Sequence, residues 1–333
     1  MNSALIALAI RSTVLLSFGF LLSGMLGKSS AATRNAIWHL TLLGLILLPV
    51  MLIRLPTWGV PVERVPLVSR AIELTQPPIA NRVGPSLSAS SQTKHQNHEV
   101  TPIEKPVDWP TVALWAWVGL SISTLLPLLI GLSGLVRTLY RSKPIDGPEF
   151  AALCMALGLS SRVSLRISKD IQTPATAGVF RPVVLLPEAA LEWGKDRLEM
   201  VLRHELAHVQ RGDWIARIAS HLACAFYAPN PLVWIASAKM RAESEAACDD
   251  LVIAGGVSAK AYAQELLIIA RSVRRSSLGI ATVGMAHRPN VESRLRAIVD
   301  PHRRRGERAP LGPSSARGQY VRERVLQIDR IAC

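Results

Sequence analysis

The sequence is short of cysteine. Only Cys154, Cys224, Cys248 and Cys333 occur in 333 residues. None precedes Cys154, and their spacing is not that of a cysteine zinc site. A disulfide-stapled framework is therefore excluded. Cys248 lies beside an acidic cluster and reads as a buried structural thiol. Charge is scarce too: 19% of residues are charged against 49% hydrophobic, which is lean for a soluble chain. Only 8 histidines are present, so any regular spacing among them carries information. Acid is the rarer charge, and the net formal charge is +14.

What the sequence has instead is three long apolar runs. They are ALIALAIRSTVLLSFGFLLSGML (residues 4–26), AIWHLTLLGLILLPVMLI (36–53) and VALWAWVGLSISTLLPLLIGLSGL (112–135). Each is near the roughly 20 residues that a membrane-crossing helix needs. The first is not a cleaved signal peptide by its pattern, since "MNSA" carries no basic side chain and Arg11 lies inside the run. The third begins with Trp109, Trp115 and Trp117 and ends with Arg137, Tyr140 and Arg141, flanks of an interfacial kind. Arg11 and His39 inside spans are costly unless they face the bundle interior or water.

Basic residues in short loops give an orientation. Lys28 and Arg34 lie between the first two runs, and Arg137, Arg141 and Lys143 follow the third. The positive-inside rule puts both regions in the cytoplasm. The N-terminus and residues 56–108 are then expected outside an inner (cytoplasmic) membrane crossed several times. The middle of that loop, rich in Pro, Ser, Gln and Asn, is expected to be largely disordered. The expected organisation is two transmembrane helices in 1–55, an external loop in 56–108, a third transmembrane helix in 109–138, a cytoplasmic domain in 139–300, and a basic tail in 301–333.

In the cytoplasmic part, RVSLRISKD alternates apolar and polar and predicts a strand. TPATAGVFRPVVLLP follows, with Pro182 inside a β-branched run. Proline confines a strand to an edge or interrupts it, so Gly178, Val179 and Phe180 are candidates for a substrate-binding edge strand. A plain core strand is the alternative. DRLEMVLRHELAHVQR then predicts a helix, with Leu198, Val201, Leu202 and Val209 as its apolar stripe and Asp196 or a neighbour as its cap.

That helix carries HExxH. His204 and His208, four apart, share a face and can bind Zn²⁺, while Glu205 can take a proton from water as catalytic base. A random chain of this composition would show the pattern on the order of once in a hundred times. Trp214 and Arg211 exclude the zinc-protease class that adds a third histidine. Gly212 is expected to leave room on the metal face. Two apolar helical pieces follow, WIARIASHLACAFYA and PLVWIASAKM, with Asn230 as N-cap and Pro231 at the first position of the second. Neither alone spans a bilayer, and a packed hairpin touching the interface is expected. RAESEAACDD, expected on its own helix, offers the third ligand. Glu245 and Asp249 share a face, so Glu245 completes a His₂Glu site and Asp249 can accept the free N–H of a ligating histidine. Glu243 is the fallback ligand, but it points elsewhere on the helix.

The order TPATAGVFRPVVLLP, LRHELAHVQRGDW, YAPNPLVW, RAESEAACDD resembles the BlaR/MecR family of membrane-embedded zinc metallopeptidases, the antirepressors and signal transducers of beta-lactam resistance circuits. With the preceding runs, the resemblance covers roughly residues 1–300. It implies a mainly α membrane protein: N-terminal transmembrane helices followed by an α+β gluzincin-like zinc protease domain. It implies His204, His208 and Glu245 as zinc ligands and Glu205 as base. It also implies a cytoplasmic protein substrate, typically a transcriptional repressor. The sequence has no S-x-x-K with the accompanying serine-acylase motifs, so beta-lactam sensing is not expected of this chain itself.

The region from residue 301 holds eight Arg against Glu307, Glu323 and Asp329. It can be a solvated tail or contact anionic lipid headgroups. Specific nucleic-acid binding is not expected, because no recognition-helix motif occurs. Two functions stay open: a zinc endopeptidase acting on a cytoplasmic regulator or on itself, and a non-catalytic membrane receptor or scaffold with a structural zinc.

Overall fold

The computed structural model describes residues 2–54, 108–145, 147–159, 163–276 and 291–305. Most of the expected external loop, and the tail beyond 305, lie outside the described residues.

Three helices are long and apolar enough to cross a membrane: α1 (Asn2–Met25), α2 (Ala31–Arg54) and α3 (Trp109–Arg141). Large apolar side chains such as Val14, Phe18, Leu21, Leu40 and Leu129 stand exposed on them. Such a surface is stable facing lipid and not water. Arg11 is exposed on α1, and His39 is half-buried on α2. Inward-facing Leu16, Trp38, Leu42 and Leu45 form one core with residues from two later helices, α6 (Asp213–Phe226) and α7 (Pro231–Ala254).

The expected start of α7 is found. The Asn230 side chain accepts from the Leu232 amide at 3.1 Å and Pro231 opens the helix. Its end is not the expected one. PLVWIASAKM and RAESEAACDD form one helix and not two, because no proline or glycine interrupts residues 232–254. Its first half is apolar and packs on the spans, and its second half carries the acids.

A small four-stranded sheet follows α3: β1 (Lys143–Ile145), β2 (Ser164–Ser168), β3 (Ala175–Ala177) and β4 (Val183–Pro187), with α4 (Pro148–Ala156) between the first two. The order is β1-β2-β4-β3. β2 pairs β4 in parallel, and the other two pairings are antiparallel. The edge-strand expectation needs correcting here. Gly178, Val179 and Phe180 lie in the turn joining β3 to β4, and the edge strand beside them is β3. Pro182 stops short of β4, which is free to occupy the sheet interior with Val184, Leu185 and Leu186 buried. Gly178 has φ +93°, and a Cβ there would meet the Arg181 carbonyl oxygen at 2.8 Å, so the turn requires glycine.

The helix expected over 196–211 is α5 (Lys195–Arg211). Its stripe is the expected one: Val201 and Leu202 are buried against the sheet with Leu206, and Leu198 and Val209 flank them. Gly194 is the N-cap, so Asp196 sits in the first turn, where its charge favours the helix dipole without capping it. Gly212 ends α5 in the left-handed region, φ +67°. A Cβ on it would meet only Ile215, at 4.0 Å. Glycine serves the reversal into α6, not space for a metal. Two further helices, α8 (Ala259–Ser276) and α9 (Val291–Val299), close the back of the domain around Met200, Val252, Tyr262 and Ile298.

One ion pair joins the first membrane hairpin to the domain. Arg34 on α2 donates to both carboxylate oxygens of Glu243 on α7, at 2.9 and 2.8 Å. The two side chains are 16% and 18% exposed, so removing either leaves a largely buried charge. Arg34→Ala or Glu243→Ala should each lower stability by about 1–3 kcal/mol. The exchange Arg34→Glu with Glu243→Arg should recover most of the loss. Thermal unfolding of the three detergent-solubilised variants checks this, and equal loss in the double variant would refute the pairing.

Candidate metal centre

α5 presents His204 and His208 one turn apart, with ring centroids 4.9 Å apart. α7 crosses beside them and brings Glu245 to both. Glu245 Oε2 lies 3.5 Å from His204 Nε2, and Oε1 lies 3.7 Å from His208 Nε2. Ligand atoms of these three residues all fall within 4.8 Å of one another.

The remaining nitrogens each have a partner of their own. His208 Nδ1 is 2.8 Å from Asp213 Oδ2. Burial would raise the Asp213 carboxyl, but the His208 hydrogen bond and the Arg211 charge hold it at about 2. An ionised carboxylate only accepts, so the Asp213 bond keeps a proton on His208 Nδ1 and leaves Nε2 as the atom turned toward Glu245. Burial opposes the charged imidazole, but the contacts with Cys248, Asp213 and Glu245 outweigh it and raise His208 well above its ordinary range, so a metal at Nε2 would displace a proton there. His204 Nδ1 is engaged by a longer route. Tyr262 Oη is 2.9 Å from His204 Nδ1 and donates to Asp249 Oδ1 at 2.8 Å. Burial first, then the Asp249 charge, push the Tyr262 phenol well above its ordinary range. The phenol therefore has one proton, already given to Asp249, and accepts from His204 Nδ1–H.

Asp249 thus sits where a partner of His204 was expected, but Tyr262 stands between them as the closer contact. Asp249 Oδ1 is 3.4 Å from His204 Nδ1. Arg294 on α9 grips Asp249 at 2.9 and 2.6 Å and reaches Glu245 Oε2 at 3.1 Å. Burial would raise the Glu245 carboxyl. The His204 contact and the charges of His208 and Arg294 outweigh it and hold the group well below its ordinary range, so Glu245 is anionic.

A second cluster, His208, Asp213 and Cys248, also gathers three potential ligand atoms. It fits a metal less well. Its histidine nitrogen is protonated, and burial pushes the Cys248 thiol up to about 11. Cys248 packs against the pair, 3.3 Å from His208 Nδ1 and 3.5 Å from Asp213 Oδ2. It is fully buried, in line with a structural thiol.

Glu205 is buried on the sheet side of α5. Thr176 on β3 donates to its Oε2 at 2.6 Å. The edge strand therefore touches Glu205 directly, whereas Phe180 in the neighbouring turn is 89% exposed. Glu243 is outside the cluster and engaged by Arg34.

Sequence reasoning missed Asp213, Tyr262, Arg294 and Thr176. Asp213 stands in plain view in HVQRGDW, but only the left-handed turn at Gly212 swings it back onto His208. Tyr262 and Arg294 come from helices that no motif links to HExxH.

The family model described as BlaR1 peptidase M56 matches residues 3–298. Regulatory protein BlaR1 of Bacillus licheniformis is 37% identical over 92 residues, which are 28% of this chain and 15% of that protein's length. Among the described residues, three helices long and apolar enough to cross a membrane, a small mixed sheet and a cluster able to hold a metal ion agree with that match. The chain belongs to the BlaR1 peptidase M56 family of membrane metallopeptidases.

Proposed function

We propose that the chain is a membrane-anchored zinc endopeptidase that cuts a cytoplasmic regulatory protein, repressor-like in kind, during signal transduction. The observation that carries this reading is the convergence of the two histidine Nε2 atoms and one carboxylate within 4.8 Å of one another. His204, His208 and Glu245 would hold the metal. Two imidazoles and one carboxylate suit zinc, and three protein ligands leave a position open for water. A structural site would be closed by a fourth protein ligand, which speaks against a purely structural zinc. Zinc bound there would supply Lewis acidity, lowering the pKa of water toward 7 and polarising the scissile carbonyl.

The rest is the work of this chain's side chains. Glu205, oriented by the Thr176 hydroxyl, accepts the proton of the attacking water and delivers it to the departing amine. Asp213 and Tyr262 keep His208 and His204 in the tautomers that ligation needs. A substrate segment lying along β3 adds to the sheet as a further strand and comes to rest beside Glu205. β3 thus takes the role first given to Gly178, Val179 and Phe180, which lie in the turn that follows it. Self-cleavage is a second use of the same chemistry. A regulatory substrate is supported by the relative, which is itself named a regulatory protein.

Glu205→Gln should retain zinc near one equivalent and lower cleavage of a candidate regulator by about 10²-fold or more. Cleavage at the original rate would remove Glu205 from the role of base.

The ligand set gives a graded expectation. Glu245→Ala should lose zinc. Asp213→Ala, Asp249→Ala and Tyr262→Phe should keep a site weakened by about 10–100-fold, while Glu243→Ala should leave stoichiometry intact. Metal content and zinc titration on the purified variants decide it, and an empty Glu243→Ala protein would move the ligand assignment.

For orientation, a reporter fused after Arg141 should behave as cytoplasmic and one at Ser90 as external. The reverse pattern would place the centre out of reach of a cytoplasmic substrate.

A further inference from the structure

Residues 218–238 contain no Asp, Glu, Lys or Arg. They form the end of α6, the turn and the start of α7. Arg217 bounds the stretch on one arm and Lys239 on the other. Phe226 lies nine residues beyond Arg217, and Pro231 eight before Lys239. At 1.5 Å per residue both arms are about 12–14 Å long. The tip of the hairpin touches the spans at a matching depth. Tyr227 Oη donates to the Leu45 carbonyl at 2.7 Å, eleven residues along α2 from the Arg34–Glu243 pair, or about 16 Å. Trp117 Nε1 on α3 donates to the Phe226 carbonyl at 3.0 Å.

Polar groups at the tip are satisfied from within. Asn230 Nδ2 reaches Ser12 Oγ at 3.4 Å and Thr13 Oγ1 at 3.3 Å on α1. Trp234 Nε1 donates to the Ala228 carbonyl at 3.1 Å. The Tyr227 bond has a further logic. Pro49, four residues after Leu45, has no N–H to give the Leu45 carbonyl, and the tyrosine supplies the missing donor. Hydrocarbon demands such internal closure, because no water is present to satisfy a free group. Meanwhile Ile215, Leu222, Phe226, Trp234 and Ile235 remain 42–55% exposed.

We propose that the α6–α7 hairpin is a re-entrant membrane element. It enters the bilayer from the side of the α1–α2 turn, reaches about half of the ~30 Å hydrocarbon core, and faces lipid acyl chains with Leu222 and Ile235. The Arg34–Glu243 pair and Arg217 mark the bilayer surface. Glu245, two residues past Glu243, then lies within about 3 Å of that level along the helix axis. The metal cluster therefore sits directly under the membrane surface. This placement stands on the hairpin geometry alone and does not depend on the peptidase reading.

Nitroxide labels test it in the full chain reconstituted into phosphatidylcholine–phosphatidylglycerol vesicles. Single cysteines replace Leu222, Ile235, Val14 as the lipid reference, and exposed Glu188 as the water reference, in a Cys333→Ser background. Labels at 222 and 235 should collide with oxygen as the label at 14 does, and little with a water-soluble nickel chelate. Nickel collision rates matching position 188 would overturn the proposal. So would exclusion of both quenchers with spin–spin broadening, which would mean that a second copy of the chain covers the face. For the unsubstituted chain, an acyl-chain diazirine lipid should label peptides within 215–235. Labelling confined to the three spans would overturn it equally.

Discussion

Each imidazole of the cluster turns Nε2 toward Glu245 because another group engages its Nδ1. Asp213 does this for His208 in one contact, and Tyr262 with Asp249 does it for His204 in two. Much of the domain serves those contacts. Gly212 reverses the chain so that Asp213 meets the helix it has just left. α8 is packed so that Tyr262 reaches across α7, and α9 delivers Arg294 to the two carboxylates that would otherwise repel each other.

The first helix hairpin, the strand at β2, the HExxH helix with its apolar stripe, and the Asn230 cap were all legible, because periodicity and capping are local. That Glu245 would come to the two histidines was legible because it shares a helix face with Asp249 downstream of HExxH. Asp213 was not, since a left-handed glycine turn changes the direction of the chain in a way that spacing along a helix cannot express. The edge strand was misplaced by a few residues for a related reason. Proline rules say where a strand cannot continue, but they do not say which side of the break pairs. Pro182 ends the turn, and the run after it goes to the sheet interior. The single α7 was read as two helices because its composition changes half-way, although nothing in its backbone does.

α7 is the mechanical link between membrane and centre. Val233, Ala236 and Met240 belong to the core shared with the spans, while Glu245, on the same rod, belongs to the candidate metal cluster, with Asp249 beside it. A rigid helix transmits position along its length. The placement of the carboxylate is thereby tied to the packing of α1 and α2, with the Arg34–Glu243 pair as the clamp between the two regions.

The distance in sequence between Arg34 and Arg294 has a consequence for biogenesis. During translation the spans enter the membrane first, and HExxH follows while its companions are still unmade. Tyr262 and Arg294 are the last to leave the ribosome. Until they arrive, His204 has no fixed tautomer, and Glu245 and Asp249 have no cation between them. The full set of side chains around the candidate site is thus assembled only after residue 294 has emerged. A nascent or truncated chain would carry the motif without the side chains that surround it.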